Sequence, residues 1–156
     1  MTQALEPQVT SQGLDQGQAL QATLVELIDL SLQAKQAHWN VVGPTFKPVH
    51  EFLDELTAEY RDWYDLVAER LTAIGRSPDG RGTTVAGSTP LPALPAGLIG
   101  DQAALAAFDE RVTLVASNVR RRADELGELD LATQDLFIEI LRGLEKQRWM
   151  LRAHRA

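Results

Sequence analysis

Residues 76–100 (RSPDGRGTTVAGSTPLPALPAGLIG) gather five Gly and four Pro into one connection. Proline removes backbone donors and glycine loses the most conformational freedom on ordering, so no long helix or central strand runs through such a stretch. Connections of this length are uncommon in compact domains and are functional or topologically required. Whatever the chain folds into must accommodate one long crossover at its middle.

On either side the apolar pattern is helical. Leu20, Leu24, Leu27, Ile28, Ser31, Ala34 and His38 recur at three- and four-residue spacing, which predicts a first helix from about Leu20 to near Val42. Gly43-Pro44 stops it. A second helix is expected to start between Thr45 and Pro48 and to carry Leu53, Leu56, Tyr60, Trp63, Val67, Leu71 and Ile74, with Gly75 as a C-terminal stop. Within the crossover a short helix is expected over 92–97. Beyond it, Leu105, Phe108, Val112, Val115 and Val119 mark a third helix over 101–126 with Asp101 as N-cap. Leu136, Phe137, Ile140, Leu141, Leu144 and Met150 mark a fourth over 130–152. No strand pattern emerges. Short loops within each pair and one long link between pairs predict an all-α four-helix bundle with ferritin-like wiring.

At 156 residues the chain is sized for one domain. The expected division is a polar, flexible tail over 1–18, the bundle over 19–152 and a short C-terminal tail over 153–156. There is no cysteine, which excludes disulfides, thiol catalysis and zinc ribbons. No apolar run approaches the ~20 residues of a membrane span, and the N-terminus lacks the pattern of a secretory signal. A cytoplasmic location is expected. The net charge is −7 and the first basic residue is Lys35, which disfavours general affinity for nucleic acid or anionic membrane.

Two histidines and three carboxylates stand out: His38, His50, Asp54, Asp65 and Glu69. At ~100° per residue, with Leu53 as zero, the apolar stripe of the second helix lies within roughly 280–360°, while His50, Asp54, Asp65 and Glu69 lie at roughly 60°, 100°, 120° and 160°. These residues point away from their own bundle's core. His50 and Asp54 form one i,i+4 pair, and Asp65 and Glu69 another. The pairs stand about 16 Å apart along the helix axis, whereas metal–ligand bonds are about 2 Å. One chain cannot bring both to one metal. An antiparallel copy can, with a two-fold axis near Glu59 to Arg61, and an isologous dimer would make the contact twice. His38, across the turn, joins the His50 side. Thr57, Ala58, Arg61, Ala68 and Thr72 supply a small or polar face around the axis. Imidazole and carboxylate suit Fe(II), and extra carboxylate charge stabilises Fe(III). Trp39, Tyr60 and Trp63 lie nearby as candidate sinks for stray oxidising equivalents. An in-bundle di-iron site would use Glu-x-x-His motifs facing the core, and the chain has none.

At these residues the sequence closely resembles the Dps family, the miniferritins called DNA-binding proteins from starved cells. The run Lys35-Gln36-Ala37-His38-Trp39-Asn40-Val41-Val42-Gly43-Pro44-Thr45-Phe46, followed by His50-Glu51-Phe52-Leu53-Asp54, resembles its first signature. Asp65-Leu66-Val67-Ala68-Glu69-Arg70-Leu71 resembles its second. The resemblance implies a hollow dodecamer. It places ferroxidase centres at two-fold interfaces, built from His38, His50 and Asp54 of one subunit and Asp65 and Glu69 of the next. It also implies Fe(II) oxidation, preferring hydrogen peroxide to oxygen, with ferric mineral stored inside. Glu128, Asp130 and Asp135 resemble the acidic lining of its three-fold pores. Family members that bind DNA often use a Lys-rich N-terminal tail. Here the first 34 residues hold no Lys or Arg, so weak or absent DNA binding is expected, and nucleoid association is the alternative.

Overall fold

The computed structural model describes residues 15–156, the side chain of Glu128 excepted. The expected tail over 1–18 therefore lies, as far as residue 14, outside the described residues. Helix α1 spans Gln16–Asn40, α2 Phe46–Ala73, α4 Asp101–Leu126 and α5 Leu131–Ala153, with a short α3 at Gly82–Ser88. Packing is chiefly α1 on α2 and α4 on α5, and the crossover carrying α3 runs over α1. Among the described residues no helix is long and apolar enough to cross a membrane.

The first helix begins four residues before the expected Leu20. Asp15 and Gln18 form a capping box that satisfies amides of the first turn. Arg76, just past α2, clamps the Asp15 carboxylate at 2.5 Å. The helix ends at Asn40 because Val41 is extended and leads into a two-residue strand, β1 (Val41–Val42). This strand pairs in parallel with β2 (Ile99–Gly100), Val41 opposite Ile99. Sequence periodicity gave no strand, since two residues carry no period.

The short crossover helix forms over 82–88 rather than 92–97. Pro92 and Pro95 bias the residues before them toward extended backbone, whereas Val85 finds a buried seat at 3% exposure. Asp101 is not the cap of α4; Gly100 is. The Asp101 carboxylate instead accepts from the Thr45 amide at 2.7 Å and its hydroxyl at 2.6 Å, tying the start of α4 to the start of α2. Asp130 caps α5 by accepting from the Thr133 amide at 3.1 Å.

The core is formed by Leu20, Leu24, Leu27 and Leu30 of α1, Leu53, Leu56, Tyr60 and Val67 of α2, Phe108, Val112, Val115 and Val119 of α4, and Phe137, Ile140 and Leu144 of α5. Buried with it is a charged pair that the apolar pattern does not show, Glu26 and Arg122. Glu26 accepts two bonds from Arg122, at 2.6 and 2.9 Å, and one from Asn118 at 2.8 Å. Arg122 also reaches the Thr23 hydroxyl at 3.0 Å. A buried carboxylate is tolerable only when paired and hydrogen-bonded in this way.

Candidate metal centre

His38 lies in the last turn of α1 and His50 in the first turns of α2, and the tight link between the helices brings them together. Their rings stack with centroids 3.7 Å apart and an interplanar angle of 17°. The Nδ1 of His38 lies 2.7 Å from the carbonyl oxygen of His50, and the Nδ1 of His50 lies 2.7 Å from the carbonyl oxygen of His38. A carbonyl oxygen only accepts, so each Nδ1 must carry the proton and donate it. In the neutral imidazole each Nε2 then holds a lone pair. A backbone carbonyl fixing one ring nitrogen while the other is left to bind is the usual support of a histidine metal ligand. Phe46 stacks on His50 at 5.0 Å and completes the wall.

Asp54, one turn beyond His50, is exposed and accepts a hydrogen bond from the Lys35 ammonium of α1. That bond, opposed by partial desolvation and aided by the Lys35, His38 and His50 charges, holds its carboxyl below the usual carboxylate range. Lys35 was not singled out from the sequence as a site residue. Its place three residues before His38, hence on the same helix face, is the signal that marks it.

Asp65 and Glu69 project from the far half of α2, both exposed. Among the described residues neither has an ion-pair or side-chain hydrogen-bond partner, and no three His, Asp or Glu residues come together as a metal cage within the chain. The structure thus pairs His38 with His50, sets Asp54 one turn along α2 from His50, and leaves Asp65 and Glu69 on the far half of that helix.

Three expectations about the surroundings change. Thr57 is not on the outer face: it is buried at 6% exposure and its hydroxyl donates to the Leu53 carbonyl. Tyr60 is unsuited to giving up an electron and a proton. It is fully buried, its hydroxyl has no partner, and burial, with the Glu59 charge, pushes its pKa well above the ordinary phenol value. Trp39, at 67% exposure, is the accessible ring beside the site. Of the acidic pore candidates, Asp130 is engaged as a cap and by Arg70 at 2.9 Å, and is not a free carboxylate. Desolvation opposes its ionisation, but the bonds from Thr133 and Arg70 outweigh this and lower its pKa. Asp135 is exposed, and the side chain of Glu128 is outside the described residues.

Comparison with known proteins bears on this arrangement. The ferritin family, described as a ferritin-like domain, matches residues 17–156. The DNA protection during starvation protein of Agrobacterium fabrum is 38% identical over 136 residues, covering 86% of this chain and 84% of the relative. DNA protection during starvation protein 2 of Deinococcus radiodurans is 37% identical over 136 residues, 87% of this chain. The chain spans only 56% of the length of that relative. The structure of Dps from Microbacterium arborescens in the high iron form is similar with a TM-score of 0.85 and 38% identity, covering 89% of this chain and 91% of that one.

Proposed function

This chain belongs to the Dps proteins of the ferritin-like family, and on that premise we propose that it oxidises Fe(II) at sites shared between two subunits and stores the ferric product in a hollow assembly of twelve. The observation that carries this reading is the reciprocal bonding of His38 and His50, which occupies both Nδ1 atoms and leaves both Nε2 atoms available to a metal. A two-fold copy with its α2 antiparallel brings Asp65 and Glu69 of the partner subunit to that half-site, because both pairs lie on one face of α2. The relative solved in a high iron form supports iron as the substrate.

The donors suit the chemistry. Neutral imidazoles bind Fe(II) without adding charge, and three carboxylates favour Fe(III) once it forms. Two Fe(II) ions that each give one electron to hydrogen peroxide break its O–O bond and leave two Fe(III) and two hydroxide ions. One iron acting alone would release a hydroxyl radical. Pairing the electrons is what makes peroxide the preferred oxidant in this reading and gives the protein a protective role. The acidic surface, with a net charge of −7, attracts the cation.

DNA is a weak or absent partner in this proposal, although relatives are named for DNA protection. The cationic C-terminus is partly neutralised: Arg152 and Arg155 both pair with Asp109, at 3.2 and 3.5 Å. A gel shift at moderate salt tests this, and a retarded band at physiological ionic strength would contradict it.

The central experiment is an anaerobic Fe(II) titration followed by hydrogen peroxide or air, with ferric absorbance as readout and an Asp65→Ala, Glu69→Ala variant alongside. Rapid peroxide-driven oxidation that the variant loses is expected. Oxidation no faster than in buffer, identical in the variant, would overturn the reading.

A further inference from the structure

A cavity of about 770 Å³ lies between the start of α1, the end of α2, α4 and the crossover that carries α3. It sits toward the opposite end of α1 from His38. Small-molecule sites have volumes of roughly 300–1,000 Å³. Arg76, Arg121, Arg122 and Glu26 line the cavity, and Ala22, Val25, Leu71 and Pro90 give it apolar walls. Arg122 is only 4% exposed. Its Nη1 bonds one Glu26 oxygen and the Thr23 hydroxyl, and its Nη2 bonds the other Glu26 oxygen. Its Nε has no partner among the described residues. A guanidinium has five N–H donors, so Nε–H and one Nη2–H are left over. These two lie parallel along one side of the group, the edge that meets a planar carboxylate through two bonds. We propose that this cavity binds a small organic carboxylate, its charged end on the free edge of Arg122 and its apolar body against Ala22, Val25, Leu71 and Pro90.

Charge and shape select the ligand. Arg122 pairs with Glu26, Arg76 with Asp15 and Arg121 with Glu125, so the lining guanidiniums and their partner carboxylates sum to zero. A dianion such as a phosphate monoester would meet the Glu26 carboxylate with no surplus positive charge to offset it. A monoanion suffers less from this, and it satisfies a buried donor that is costly to leave unpaired. The two outer pairs are about half exposed and hold their guanidiniums weakly. An amide of the same shape presents one acceptor and one donor to an edge that only donates. The wall at Ser88 and Pro90 gives the long crossover a use beyond joining the two helix pairs. The inference does not rest on the shared metal centre.

The test uses the assembled full chain, freed of metal so that a carboxylate has no ion to bind. Benzoate, its neutral counterpart benzamide, and phenyl phosphate are titrated calorimetrically. Benzoate should bind with a Kd on the order of 1 mM or tighter, and the other two at least tenfold more weakly. Ala22→Phe fills the cavity and leaves the Glu26–Arg122 pair in place; Arg122→Lys keeps the charge and removes the two-donor edge. Each should weaken benzoate tenfold or more. Benzamide or phenyl phosphate binding as tightly as benzoate overturns the carboxylate assignment. Absence of benzoate binding in the wild type, or undiminished binding in either variant, overturns the site.

Discussion

The carboxylate of Asp101 stands where a side chain on Gly43 would have to be, 2.5 Å from the place of its missing Cβ. Gly43 also has φ +139°, a backbone region that residues with a side chain rarely enter. Both requirements come from one turn: it reverses the chain between the two histidines while Asp101 reaches in to hold Thr45. Gly43→Ala is expected to lower stability by about 2 kcal/mol or more, since strain and overlap act together. Denaturant unfolding at fixed protein concentration checks this, and a change within 0.5 kcal/mol, about the size of an ordinary surface substitution, would contradict it.

Asp101 makes the same contact pH-dependent. Hydrogen bonds from the Thr45 hydroxyl and then its amide, against partial desolvation, hold the carboxyl below its usual range. A depressed folded-state pKa gives stability that is present above the unfolded value, about 3.9, and is lost as pH falls through the folded value. The Tm difference between wild type and Asp101→Asn should therefore be largest near neutral pH and shrink as pH falls from the unfolded value through the lower folded one. A difference that is constant with pH would show that the carboxylate charge contributes nothing there.

The buried Glu26–Arg122 pair predicts a non-additive pair of substitutions. Glu26→Leu leaves the Arg122 guanidinium without its partner at 4% exposure, and should cost about 3–5 kcal/mol. Glu26→Leu with Arg122→Met removes both charges and should recover most of that loss. Denaturation of the two single variants and the double variant measures the coupling. Simple additivity would mean that the pair is not energetically linked.

Complementation tests the sharing of the metal centre. A His38→Ala, His50→Ala variant and an Asp65→Ala, Glu69→Ala variant should each fail to oxidise iron. Dissociated and reassembled together, they form mixed dimers in which one site is doubly damaged and the other intact. With random pairing about a quarter of wild-type activity should return, as two-fold sharing requires. No recovery, in mixtures shown to be reassembled, would place all the ligands on one chain.

The four long helices were legible because Leu53, Leu56, Tyr60, Val67 and Leu71, and their counterparts on the other helices, repeat over many turns. That same period turned His50, Asp54, Asp65 and Glu69 to one outward side. Features that depend on distant partners were not legible. Glu26 looks like a surface carboxylate until Arg122, 96 positions away, is brought against it. Asp101 reads as a cap until Thr45 is placed beside it. In the crossover, proline content was the wrong guide to a helix, because Val85 had a buried seat and the stretch around Pro92 did not. The histidine bonds depend on the register between α1 and α2, which no local pattern specifies.

The distance along α2 between the two halves of the centre has a kinetic meaning. A single chain, however well folded, holds two incomplete half-sites, so on the shared-site reading the newly made monomer is inert toward iron and peroxide. At high dilution the rate should rise with the square of chain concentration and become linear once dimers saturate. The capacity to oxidise would then appear only where a wall of subunits has begun to form, and no ferric product would be made before there is a container to receive it.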